Sequence, residues 1–255
     1  MKYEITGTTM QVVGIDLLQG EKIYSQTSCM SWMSDNIQMN TNTGGGLWAG
    51  IKRNLSGGSL FLTTFEAAQE GGHVAFSSKF PGNIMPVALK DGESLVCKKE
   101  TFLCAEQSVK LEIAWQKNIG AGIFAGEGFI LQRVTGPGTV WLDLAGETVV
   151  KDLAAGEKLL VHAGHIGVQT SSVTTDIQMI GGFKNILFGG EGLFLATLTG
   201  PGRIWLQSMS LMNLAESIAH YLPMGRQENA QVPASIAGGA IGGLLGLATM
   251  ISKNE

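Results

Sequence analysis

Few residues of this chain have the type and spacing to do chemistry. "VHAGHIG" places His162 and His165 three apart. Two imidazoles on one strand face would make a metal pair, which needs an even spacing. A spacing of three puts strand side chains on opposite faces, and the intervening Ala-Gly predicts a turn. His162 and His165 are therefore weak metal candidates, expected as turn or surface histidines, and His73 and His220 stand alone. Glu21, Glu93 and Glu157 each follow a glycine. Three symmetric carboxylates would suit a cation, but a carboxylate after a turn glycine is ordinarily a solvated turn residue. Glu127 and Glu191, each inside "GEG", carry the same reading. "GGG" at 44–46 and "GEG" at 126–128 lack the Gly-Lys-Ser/Thr of a phosphate loop. No nucleophile-elbow pattern occurs. The expectation is no catalytic residue and no cofactor.

Composition narrows the class further. Hydrophobic residues make up 44% of the 255 positions, enough for a substantial core, while charged residues make up only 15%. Soluble domains average about 25% charged residues, so this surface is expected to be partly covered by self-association. The net charge of −4 and the scattered basic pairs Lys52-Arg53 and Lys98-Lys99 argue against nucleic acid, whose binders carry a basic patch or stripe. Cys29, Cys97 and Cys104 lack Cys-x-x-Cys spacing and read as reduced core thiols in a cytoplasmic protein. "MKYEITGTTM" has no apolar stretch of the kind a secretory signal needs.

The elements that would position these residues come in similar copies. "GEGFILQRVTGPGTVWL" (126–142) and "GEGLFLATLTGPGRIWL" (190–206) agree at ten of seventeen positions without a gap. Upstream, "LQGEKI", "LKDGESL" and "LAAGEKL" place Gly-Glu pairs at 20–21, 92–93 and 156–157. "GGSLFLTTFEA" and "GHVAF" stand for the repeated block in a more diverged first copy. The reading is an internal triplication, with units of about 1–86, 87–150 and 151–209. Each reads as short glycine-bounded strands, an all-β pattern. In "TVWLDLAG", Val140, Leu142 and Leu144 share one face, and Trp141 lies on the other. Trp141 and Trp205 occupy equivalent positions and are expected in core or intersubunit packing, with an outward partner surface as the alternative. A strand pair cannot bury its apolar face alone. The three units are thus expected to form one body, 1–209, around a pseudo-threefold axis.

Beyond the strands, "SLMNLAESIAHYLP" (210–223) has Leu211, Leu214, Ile218 and Leu222 at helical spacing, Ser210 as N-cap and Pro223 as the stop. This predicts one docked amphipathic helix. Residues 224–255 form a Gly/Ala-rich apolar tail. Within it Gly238, Gly242 and Gly246 share a helical face, a spacing that allows close helix contact. The apolar run 236–251 would be about 24 Å long as a helix, against a hydrocarbon core of ~30 Å. A flexible tail, a helix docked on a partner and a membrane-associated helix stay open. Ile236, Gly238, Ile241, Gly242, Leu244, Leu245 and Gly246 are the candidate partner or membrane contacts.

The order "GGSLFLTTFE", "FPGNIMPVAL", "GEGFILQRVTGPGTVWL" and "GEGLFLATLTGPGRIWLQS" resembles the altered-inheritance-of-mitochondria, or mitochondrial biogenesis, family over roughly residues 1–222. The resemblance implies a fold like the tryptophan RNA-binding attenuation protein: short double-stranded β-helix units, here three in tandem. It implies a homotrimer, and for the mitochondrial branch a link to inner-membrane organisation. It supplies no catalytic residue. The functional expectation is a non-enzymatic, self-assembling scaffold, cytoplasmic or held near a membrane by its tail. The alternative is a small-molecule or metal-binding β-helix protein, conceivably a cupin-like enzyme.

Overall fold

A computed structural model describes residues 1–26, 29–42, 62–117, 129–179 and 194–221. Its regular structure is almost entirely antiparallel sheet. The first stretch carries β1 (Lys2–Thr6), β2 (Val12–Leu17), β3 (Lys22–Gln26), β4 (Met30–Met33), β5 (Ile37–Asn42), β6 (Leu62–Ala67) and β7 (Gly72–Ser77). Then follow β8 (Gly82–Leu89), β9 (Ser94–Lys98), β10 (Phe102–Glu106), β11 (Lys110–Lys117), β12 (Phe129–Thr135) and β13 (Gly138–Ala145). The last set is β14 (Thr148–Leu153), β15 (Lys158–His162), β16 (Ile166–Thr170), β17 (Thr174–Met179), β18 (Phe194–Thr199) and β19 (Gly202–Gln207). One helix, α1 (Leu211–Tyr221), closes the described chain.

The same pairings recur along the chain. β2 pairs with β7, β8 with β13 and β14 with β19. β4, β10 and β16 pair with the other edge of β7, β13 and β19, each with one register shift near the start. β3–β6–β5, β9–β12–β11 and β15–β18–β17 make the facing three-strand sets. Two further pairings weld neighbouring sets: β3 with β10, and β9 with β16. The result is two six-stranded sheets, plus a four-stranded sheet ending on β4 and a three-stranded sheet ending on β15. β4 and β15 are not paired with each other. A closed threefold circuit would need that third weld; among the described residues it is not made, and the sets run as an open relay from β4 to β15.

Three apolar cores lie between the sheets, and each borrows from its neighbour. The first, built on Val13, Ile15, Val74 and Phe76, takes in Trp141 and Leu103. The second, around Phe102, Val140 and Leu142, takes in Tyr24 and Leu62 from before and Val168 from after. The third, around Ile166, Ile177 and Leu198, takes in Val96, Phe129 and Leu131. β13 is therefore covered on both sides. Val140, Leu142 and Leu144 point into the second core and Trp141 into the first. The outward alternative for Trp141 is thereby corrected: its ring is fully buried and meets Tyr3 edge-on at 5.3 Å. Trp205 is partly buried against the second core.

The turns repeat as closely as the strands. Gly20, Gly92 and Gly156 have φ of +80°, +74° and +77°, a left-handed conformation natural to glycine. At Gly136 and Gly200 an added Cβ would come within 2.3 Å of the carbonyl oxygens of Lys90 and Ala154, respectively. The α1 helix follows Ser210 directly, but the buried Ser210 hydroxyl has no hydrogen-bond partner, so the expected side-chain cap is not made. The Ser210 carbonyl accepts the Leu214 N–H at 3.0 Å, and Ser210 is buried against Gly164. Ile218, placed by its spacing on the docked face, is 52% exposed. Leu222 and Pro223 lie outside the described residues. No helix among the described residues is long and apolar enough to cross a membrane.

Candidate functional site

The polar groups singled out by the sequence are occupied with holding turns. The carboxylate of Glu21 accepts the N–H of Leu18 at 2.8 Å, that of Glu93 the N–H of Lys90 at 3.0 Å, and that of Glu157 the N–H of Ala154 at 2.8 Å. Each carboxylate thus closes its own turn, three residues back, and the three sit at three separate turns. Glu127 and Glu191 lie outside the described residues, as do Ile236, Gly238, Ile241, Gly242, Leu244, Leu245 and Gly246.

His162 ends β15, and Ala163–His165 form a single 3₁₀ turn. That turn brings the two imidazoles together, with centroids 5.6 Å apart and planes at 64°. Opposite faces, the strand expectation, do not apply because the backbone leaves the strand between them. His165 Nδ1 lies 2.9 Å from the Gln207 carbonyl oxygen, and the Gln207 amide donates to the Gly164 carbonyl at 3.0 Å. The pair is integrated into a turn beneath α1. Among the described residues no group of three His, Cys, Asp or Glu side chains is arranged to hold a metal ion.

One groove of about 560 Å³ opens where β9 meets β16, lined in part by Val87, Leu95, Arg203 and Trp205. Its charged groups are already engaged. Arg203 donates two hydrogen bonds to Asp152, at 2.7 and 2.9 Å, and this guanidinium holds the Asp152 carboxyl below the usual range. Glu93, also on the wall, is committed to its turn. The corresponding cross-strand pair between β2 and β7 is Asp16 with His73, 2.8 Å apart. The groove offers shape and apolar walls, with no nucleophile paired to a base.

The thiols are deeply placed. Cys29, Cys97 and Cys104 are all buried and free. Burial pushes the Cys97 thiol up to about 12 and raises Cys104 well above the ordinary value. Burial also raises Cys29, partly offset by Lys79. These are inert core thiols rather than nucleophiles.

What sequence reasoning did not single out are the two free sheet ends. Trp32 on β4 is 54% exposed, and Leu160 on β15 is 62% exposed. Their counterparts by pairing position are buried: Cys104 and Val168 for Trp32, Tyr24 and Val96 for Leu160. The available signal was an apolar residue kept at a repeated strand position. Only the pairing pattern reveals that it lacks cover.

Residues 3–209 match the mitochondrial biogenesis AIM24 family. The chain belongs to that family. An uncharacterised protein of Streptococcus pyogenes serotype M6 is 31% identical over 222 residues, spanning 83% of this chain and 87% of that protein. The crystal structure of protein SPYM3_0169 from Streptococcus pyogenes is similar with a TM-score of 0.72 at 26% identity, covering 87% of this chain and 99% of that one. This AIM24 family member therefore shares its β architecture with a bacterial relative over 87% of its length. The family match, residues 3–209, spans the residues of the three cores and of β4 and β15.

Proposed function

We propose that this AIM24 family protein is a non-enzymatic scaffold that works by assembling with copies of itself. It comprises three tandem double-stranded β-helix units, about 1–86, 87–150 and 151–209. Their common strand pairings, glycine turns and carboxylate caps support that reading. The observation that carries self-assembly is the pair of half-sheets that end on β4 and β15 with exposed apolar side chains. A sheet edge with unpaired backbone groups and apolar side chains is a template for another strand. The low charged fraction, 15%, fits a surface partly covered in the assembly. Arg203, Asp152, Glu93 and His165 are consumed by structural hydrogen bonds, which favours scaffold over catalyst.

In this reading the working form is a cytoplasmic homotrimer with no cofactor and no nucleic-acid partner. In the same reading residues 210–223 are a helix docked on the β body, and the tail 224–255 is either flexible or in contact with a protein or membrane surface. Sedimentation equilibrium of the full chain at micromolar concentration tests the proposal. A single species of three chain masses is expected. A stable monomer under those conditions would remove the scaffold reading.

A further inference from the structure

We infer that β15 of one copy pairs with β4 of a second copy, antiparallel, with Leu160 opposite Met33 and Val161 opposite Trp32. This inference rests on the scaffold reading and names the joint that it requires. The register comes from the two welds inside the chain. In the first, Cys104 lies opposite Ser25, Ala105 opposite Tyr24 and Glu106 opposite Ile23. In the second, Val168 lies opposite Cys97, Gln169 opposite Val96 and Thr170 opposite Leu95. Counted from the Gly-Glu turns, Tyr24, Val96 and Leu160 hold the same place. Counted along the pairing with β7, β13 and β19, Trp32, Cys104 and Val168 hold the same place. Both welds obey one register, and among the described strands one member of each kind is left out of such a weld: β15 and β4.

Core composition points the same way. The second core receives Tyr24 and Leu62 from the preceding set of strands, and the third receives Val96 and Leu131. The first core receives no such pair, and Met30 and Met33 sit only partly buried at its rim. At the far end of the chain, Leu160 is exposed and Leu195, the counterpart of Leu62 and Leu131, is only partly buried. The side chains that the first core lacks are those the third set presents to solvent. β17–β18–β15 and β4–β7–β2 would complete a sheet in the order of the two existing six-stranded ones, with β1 added at its edge. Such a head-to-tail contact closes as a ring or runs on as a filament, according to its rotation.

Two singly substituted chains test the joint, Leu160→Cys and Met33→Cys. Directly opposed residues of an antiparallel pair lie about 4.5–5.5 Å apart at Cα, inside disulfide range. Mixed after dissociation and reassembly, then oxidised, the two chains should form a disulfide-linked dimer on non-reducing gels. Neither variant alone should do so, nor should Leu159→Cys mixed with Met33→Cys, because a shift of one residue turns the side chain to the other face. As a second arm, Leu160→Lys should reduce the assembly to single chains while circular dichroism stays unchanged, since Leu160 is exposed within the chain. Wild-type assemblies with no Leu160→Cys/Met33→Cys product would overturn this joint and leave the scaffold reading standing. Cross-linking by Met33→Cys or Leu160→Cys alone would mean a symmetric edge and would also overturn it. A monomeric wild type would remove both the joint and the scaffold reading.

Discussion

At the scale of single residues, the glycine and glutamate of each Gly-Glu turn do separable work. Gly92 has φ of +74° with nothing within 4 Å of an added Cβ. Gly92→Ala should therefore cost only the left-handed backbone term, about 1–2 kcal/mol. Gly136 is different, because its Cβ would lie 2.3 Å from a backbone oxygen that cannot swing away. Gly136→Ala should cost more than Gly92→Ala in chemical denaturation, and the reverse order would refute the steric argument. Glu93→Ala removes one charge-assisted hydrogen bond at an exposed turn and should cost about 1 kcal/mol. The recurrence of these residues was visible in the sequence, yet the role of the carboxylate was not. A turn cap and a cation ligand use the same residue type, and only the distance to Leu18, Lys90 or Ala154 separates them.

At the scale of elements, Tyr24 shows how one strand fastens the next set. It leaves β3, stacks on Phe102 at 5.6 Å and donates its hydroxyl to the Val109 carbonyl at 3.0 Å. Tyr24→Phe keeps the packing and loses the hydrogen bond, so a loss of about 1 kcal/mol is expected. Tyr24→Ala opens a cavity in the second core and should cost about 3–5 kcal/mol. Urea denaturation of both variants checks this, and equal losses would mean that the ring packs less than its burial implies. The His162–His165 segment teaches the complementary lesson. A period-two argument holds only while the backbone stays extended, and Ala163–His165 break it with a 3₁₀ turn. The Ala-Gly dipeptide signalled the turn; the approach of the two rings followed from its closure against Gln207.

At the scale of the whole molecule, the buried acids set a limit on alkaline stability. The thiols of Cys97 and Cys104 and the phenol of Tyr24 all have raised values, each chiefly because burial disfavours the charged form. For Cys97 the unfolded thiol titrates near its ordinary value of 9.0 and the folded one at about 12. Between these the unfolded chain binds fewer protons, so stability is fully present below pH 9 and falls as pH rises toward 12. The slope is about 1.4 kcal/mol per pH unit for each such group. Thermal denaturation from pH 7 to 11 should show a steady fall in Tm that begins near pH 9. Cys97→Ala should flatten the slope by its own share, beside its packing cost. A Tm independent of pH up to 11 would contradict the burial of these three groups.

The sequence by itself determined the all-β character, the placement of the glycine turns, the short helix after β19 and the membership implied by the "GEG…GPG…WL" blocks. These are local properties: alternation, β-branched runs, a glycine that must take positive φ, and a helical spacing all act within a few residues. Tertiary structure alone decided that β13 is covered on both faces, so that Trp141 is buried rather than outward. It decided that the groove's charges are paired off. It decided that β3–β10 and β9–β16 are made while β4 and β15, each paired on one edge only among the described strands, are not joined to each other. Alternation says which side of a strand is apolar. It does not say how many sheets cover that side, nor which distant edge supplies the next hydrogen bonds, because strand pairing is a contact between remote parts of the chain.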